Sequence, residues 1–258
     1  MALALHGNAW LAEPQQPAPA LLETNSAFRF VNSLRVLDRS GRWRPREVAF
    51  NDTASWFEHL RVQRIDRLTL LDAHATGPVP DEVAATFANG IPWSIGGSTR
   101  RERRRWGSSW AVTDADAADR RIWAMRLEIE PSAVTDVVAA PGVNLATAEL
   151  DHALEDISAF AAAHGLGNWR ERFDGARAQL DASEPVLPYH PDIAPAGSLP
   201  PARARLLAAA MTAWVFGGMG SWNDIGLDGA QSQGAMARET HRLYQAVMAA
   251  FLAVTNAA

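Results

Sequence analysis

The chain has no cysteine and no lysine, and these two absences exclude whole classes of chemistry. Without thiols there are no disulfides, thiolate metal sites, iron–sulfur clusters or cysteine nucleophiles. Without lysine there is no P-loop ammonium, Schiff base, pyridoxal attachment or lysine general base. All 24 basic residues are arginine. A composition rich in Ala, Gly, Pro and Arg belongs to a GC-rich, bacterial-type genome, which accounts for the missing lysine. Long apolar runs are missing as well: the longest, Leu206 to about Met219, is too short to cross a bilayer and reads as a buried helix. Met1 to Leu11 lacks the basic-then-apolar order of a signal peptide, and Pro14, Pro17 and Pro19 follow it closely. The expectation is a cytoplasmic protein with no membrane attachment.

What is present is an ordinary globular composition, 48% hydrophobic and 21% charged over 258 residues, enough to bury a core without staples. A net charge of −5 and a pI near 5.8 provide no global field for nucleic acid or anionic membrane.

Hydrophobic periodicity divides the chain into three stretches. Residues 1–22, rich in Ala, Pro and Gln, read as a loosely ordered arm. Residues 23–140 form a mixed region with strands expected at Phe28 to Leu37, Arg67 to Ala73, Ser108 to Thr113 and Ile122 to Glu130. The last alternates most cleanly. Short helices are expected from Thr53 to Arg61, capped by Asp52, and from Pro80 to Ala88, ended by Asn89-Gly90. Residues 141–258 take a helical period. Leu150, Leu154, Ile157 and Phe160 form one stripe, stopped by Gly165. Asn168, with Glu171 three residues on, is expected to cap a second helix with Trp169, Phe173, Ala176 and Leu180 inside. Further helices are expected from Ala202 to Phe216 and from Ala235 to Val254. The fold class that follows is α+β, a small mixed sheet with short helices followed by a bundle of about four helices packed with it as one unit.

Two segments carry the strongest hints of function. In the first, the apolar helix from Leu206 opens through Gly217-Gly218 and Gly220 into Trp222, Asn223 and Asp224. This is either a stacking platform with polar groups beside it or a helix terminus with Gly217 as left-handed cap and Trp222 anchored against the core. In the second, Gly96-Gly97-Ser98-Thr99 leads into Arg100, Arg101, Arg103, Arg104 and Arg105, with Trp106 and Trp110 beside them. Guanidinium forks bind phosphate or carboxylate, and the glycines can offer backbone donors to an anion. Equally, Asp114, Asp116 and Asp119 can neutralise the run internally.

Other strings carry less. Ser221 lacks a nucleophile elbow, because position 223 is Asn. Glu149-x-x-His152 has no second copy, Asp114-x-Asp116 lacks the rest of a calcium loop, and no metalloprotease or P-loop string occurs. The seven histidines are dispersed. His190, close to Asp192 in a proline-rich loop, is the better general-base candidate, while His241 lies on the polar stripe of the last helix.

Ten tryptophans are too many for a central core, and half-exposed tryptophan beside arginine marks an interface. The leading expectation is a non-catalytic protein that recognises another protein, inhibitor- or immunity-like in type, with Trp106, Trp110, Trp222, Arg103, Arg104 and Arg105 in contact. No metal or cofactor is expected. The alternatives are a cofactor-independent acid–base enzyme for a small anionic substrate, using His190, Asn223 and Asp224, and nucleic-acid binding through 97–110.

Overall fold

The computed structural model describes residues 1–13, 16–40, 46–71, 73–99, 102–130, 140–217 and 220–257. Arg100, Arg101 and Gly218, singled out above, lie outside them. The fold is α+β: a six-stranded mixed sheet and, among the described residues, eight α-helices. Contacts divide the chain into two units that interleave in sequence, Met1–Ala73 with Pro92–Val138 and Asp192–Ser198, and His74–Ile91 with Ala139–Pro191 and Leu199–Ala258.

The first unit holds α1 (Ala2–Ala12), α2 (Leu21–Thr24), β1 (Val31–Ser40), β2 (Arg46–Phe50), α3 (Thr53–Val62), β3 (Arg67–Leu71), β4 (Ser94–Ser98), β5 (Arg103–Val112) and β6 (Trp123–Ile129). Sheet order is β2-β1-β6-β5-β4-β3, antiparallel throughout except for the parallel β1–β6 pair. The alternation read at Ile122 to Glu130 is β6, with Met125 and Leu127 buried and Arg126 and Glu128 exposed. On β1, Leu34 and Val36 alternate inward with Arg35 outward. Asp52 caps α3 as expected, its carboxylate accepting the Ser55 N–H at 2.7 Å. Thr53, Trp56, Phe57 and Leu60, at helical spacing, are the buried face of α3. Trp56 meets Trp106 of β5 edge to face, with ring centroids 5.6 Å apart.

The loose arm expected at the N-terminus is instead helix α1, with Leu3, Leu5 and Trp10 buried. It packs on β3 through Gly7, where a Cβ would fall 2.6 Å from Leu68 Cδ1. The run of apolar residues has no amphipathic period because Ala2, Leu3, Ala4 and Leu5 are all covered. Gly96-Gly97, read as a possible anion loop, is the middle of β4. It pairs with Thr69 and Leu68 on one side and with Arg105 and Arg104 on the other. Gly97 is small for a packing reason: Trp106 lies across it, 2.6 Å from where a Cβ would be.

The second unit is helical: α4 (Asp81–Ala84), α5 (Val143–Ala163), α6 (Gly167–Ala178), α7 (Pro201–Thr212) and α8 (Ala230–Asn256). The stripe Leu150, Leu154, Ile157 is fully buried. Gly165 ends α5 in the left-handed region (φ 70°), with Leu166 N–H on the Ala161 carbonyl and Gly165 N–H on that of Ala162. Asn168 does not cap α6; it lies inside the helix, whose N-cap is Leu166. The apolar helix α7 stops at Thr212, four residues short of expectation. Gly217 is therefore no helix cap; among the described residues of the loop, the positive φ is at Gly220 (82°).

Candidate functional site

The Trp222 loop is occupied by its own structure. Residues Trp222–Asp224 form one 3-10 turn closed by a capping box between Ser221 and Asp224. Asp224, exposed, accepts the Gly220 and Ser221 N–H groups at 2.5 and 3.3 Å. Trp222 is fully buried against Phe160, Trp169 and Phe173, with centroids 5.1–6.5 Å away and all edge to face. Its indole N–H donates to Thr240 Oγ1 at 2.8 Å. Expected as a contact residue, Trp222 is an anchor: an aromatic beside glycines can enter the core as readily as face solvent. Asn223 donates to the Glu82 carbonyl at 3.0 Å, which ties the loop to α4.

The arginine segment is strand β5, and alternation sends its residues to opposite faces. Trp106 points inward and is fully buried, so it is no contact residue. Arg104, on the same face, is drawn under α3. It lies 3.6 Å from Asp38 and 3.2 Å from Glu102, and donates to Gln63 at 3.3 Å. Arg105 pairs with Glu130 at 3.1 Å and donates to Ser94. Arg103 is exposed, with no ion pair among the described residues. Internal pairing thus takes two of the three arginines, with Glu102, Glu130 and Asp38 as partners in place of the aspartates of 114–119.

Asp38 itself escaped the sequence reading. It is a fully buried carboxylate on β1, 3.3 Å from His59 Nε2 on α3. Asp38 Oδ2, His59 Nε2 and Arg104 Nη1 are each buried without a hydrogen bond. It lies one residue beyond the strand expected at Phe28 to Leu37, and nothing in the local sequence marks it as buried.

The general-base candidate fares differently. The Asp192 carboxylate accepts the Ser26 N–H (2.8 Å) and the Ser26 hydroxyl, and its carbonyl accepts from Asn25 (2.5 Å). It is thus engaged in holding the 3-10 turn Ser26–Phe28 that precedes β1. His190, at φ 49°, stacks edge to face on Tyr189. Burial pushes the Tyr189 hydroxyl up to about 12, and that hydroxyl donates to the Met211 carbonyl.

Carboxylate–imidazole pairs form elsewhere, at α4. His74 Nδ1 lies 2.7 Å from Asp81, and His241 Nδ1 lies 3.0 Å from the buried Glu82. Desolvation would raise the Asp81 carboxyl. Hydrogen bonds from Ala75 N–H and His74, with the charges of His74 and His241, outweigh it and hold the group below its ordinary range. Among the described residues no group of three or more ligating side chains can hold a metal ion. An open groove of about 630 Å³ between α5 and α6 is lined by Asn144, Asp151, Asp174, Arg177 and Asp181. Two of its carboxylates are already engaged, Asp151 with Arg177 and Asp174 with Ser158.

What remains open is one end of the sheet. In register, Val112 of β5 faces Trp123 of β6, and Trp110 faces Met125. Trp110, Val112 and Trp123 therefore share a face. Both indoles are half-buried and Val112 is 52% exposed. Phe30, at the head of β1, is 39% exposed, and its carbonyl accepts the Trp123 N–H. The Arg29 and Arg120 guanidiniums lie 5.3 and 5.5 Å from its ring centre. Trp110 is the one expected contact tryptophan of this group. Val112 and Trp123 were missed because only the register brings them beside Trp110, and Phe30 because only its backbone bond to Trp123 places it nearby. No helix among the described residues is long and apolar enough to cross a membrane. No family model, curated protein or solved structure matches this chain.

Proposed function

We propose that this is a soluble, cytoplasmic recognition protein, non-catalytic, that binds another protein through the Phe30–Trp110–Val112–Trp123 end of its sheet. The supporting observation is that Trp110, Val112 and Trp123 share one face at this end of the sheet, with Phe30 joined to Trp123 through its backbone. Two half-buried tryptophans and an exposed valine make this end of the face apolar, and two arginines lie over the Phe30 ring at the head of the neighbouring strand. Such patches favour association, and Trp and Arg contribute most strongly at interface centres. Aromatic rings held by strand backbone lose little side-chain entropy on binding. The test is affinity capture from the native host at physiological salt, wild type against Trp110→Ala/Val112→Asp, with circular dichroism confirming the fold. A stoichiometric protein lost only by the double variant supports the reading; retention of that protein by the variant refutes it.

A second reading, acid–base catalysis, rests on the His241–Glu82 pair. A buried carboxylate 3.0 Å from Nδ1 of a half-exposed imidazole is the arrangement by which a general base is oriented. Glu82→Gln would abolish such an activity and leave partner capture intact.

A further inference from the structure

Each end of a sheet presents backbone N–H and C=O groups that ladder pairing leaves unused. At the β3 end they are covered. The Asn8 side chain of α1 donates to the Leu68 carbonyl at 2.8 Å and accepts the Leu68 N–H at 2.7 Å, taking the place of a neighbouring strand. The β2 end has no such cover. Among the described residues, the backbone of Arg46–Phe50 pairs with β1 alone. None of its five residues is buried. The strand is short and carries Arg46 and Glu47, of opposite sign, but other usual guards against edge pairing are missing. The strand contains neither lysine nor proline, and its register with β1 runs unbroken over five pairs, without a bulge.

We propose that this edge joins two copies of the chain, β2 pairing antiparallel with β2 of a second copy about a two-fold axis through Val48. In that register the strand complements its own reverse. Val48 meets its symmetry mate, Arg46 stands opposite Phe50 with guanidinium against ring, and Glu47 stands opposite Ala49. No like charges face each other directly. Slipping by two residues in one direction sets Glu47 against Glu47, and in the other it removes Arg46 from the pairing, so side-chain chemistry selects the register. Arg46, Val48 and Phe50 share a face. Phe50 is already held against His59, with ring centres 4.8 Å apart, so its place is set before association. The contact is isologous, each half made twice, and closes at two copies. It is independent of the Phe30–Trp123 patch.

Because the chain has no native cysteine, single cysteines report this geometry cleanly. Directly opposed Cα atoms in an antiparallel pair lie about 4.5–5.5 Å apart, within disulfide reach, whereas Glu47 and its mate lie diagonally beyond the limit of about 7 Å. Val48→Cys is therefore expected to cross-link under mild oxidation much faster than Glu47→Cys. In sedimentation velocity over a concentration series, the native chain runs as a dimer. Val48→Lys, which sets two ammonium groups together on the axis, runs as a monomer with an unchanged far-ultraviolet spectrum. A native chain that stays monomeric throughout, or equal cross-linking by the two cysteine variants, overturns the proposal. A monomer that pairs this edge with another protein would give the same overturning result.

Discussion

Trp106 and Trp110 show what a single residue's sequence context can and cannot reveal. They lie four apart on one face of β5, beside the same arginines, yet Trp106 is fully buried and Trp110 half-buried. The difference lies in the cover. Trp106 meets Trp56 of α3, a helix of ten residues, and ten residues extend only about 15 Å along the sheet. Strand periodicity gives the face of a tryptophan, whereas its burial depends on where a helix from elsewhere in the chain ends. Trp222 makes the same point more sharply. Glycine neighbours left open an exposed platform or a core anchor, and three aromatic rings with Thr240 make it the anchor. Trp222→Ala is expected to lower stability by about 3–5 kcal/mol, the usual cost of removing a large buried aromatic, read as a fall in the urea midpoint. A loss under 1 kcal/mol would mean that the ring is not packed as described. Asp38 is the opposite case: a carboxylate one residue beyond the expected strand is fully buried beside His59 and Arg104.

At the scale of elements, legibility follows how much of the stabilising physics is local. Asp52 caps α3 through the N–H three residues on, and Gly165 terminates α5 by its own φ; both were readable from the sequence. Replacing Asp52 by Ala is expected to cost about 1 kcal/mol, measured by thermal or chemical unfolding. Elements stabilised by distant partners were not readable. Strand β4 passes through Gly96-Gly97, which have no β-propensity and are there to admit Trp106 and Thr69. Strand β2 begins Arg-Glu and is only five residues long. Helix α1 lacks an amphipathic stripe because both its sides are covered near the start. Helix α4 was expected at this place, but it ends at Ala84 rather than Ala88, and the partners of its Asp81 and Glu82, His74 and His241, come from elsewhere in the sequence. Because the Asp81 carboxyl is held below its ordinary value, its ionised form favours the folded state. That stability is present above the ordinary pKa of 3.8 and is lost as pH falls through and below it. Asp81→Asn should therefore flatten the decline in unfolding free energy on acidification through this range. An unaltered pH profile would mean that the His74 and Ala75 contacts to Asp81 do not stabilise the fold.

For the whole molecule, the question is whether charge or apolar contact governs association. The net charge of −5 is unevenly distributed: the helical unit carries seven arginines against thirteen carboxylates, while the sheet unit is near balance with seventeen against sixteen. Neither unit therefore has the excess of positive charge that draws a protein to a phosphate backbone. Two of the three β5 arginines singled out above, Arg104 and Arg105, are also paired with carboxylates. If recognition works through Phe30, Trp110, Val112 and Trp123, its free energy comes from apolar area removed from water, which added salt does not screen. Partner affinity should then change by less than about tenfold between 50 and 200 mM salt. A protein making six to ten phosphate contacts loses roughly 10³–10⁵ over the same interval. A titration calorimetry series at increasing salt separates the two. A shallow dependence abolished by Trp110→Ala/Val112→Asp assigns binding to the patch. A steep one would shift attention to the exposed arginines on the other sheet face, Arg35, Arg39 and Arg103, and to a polyanionic partner.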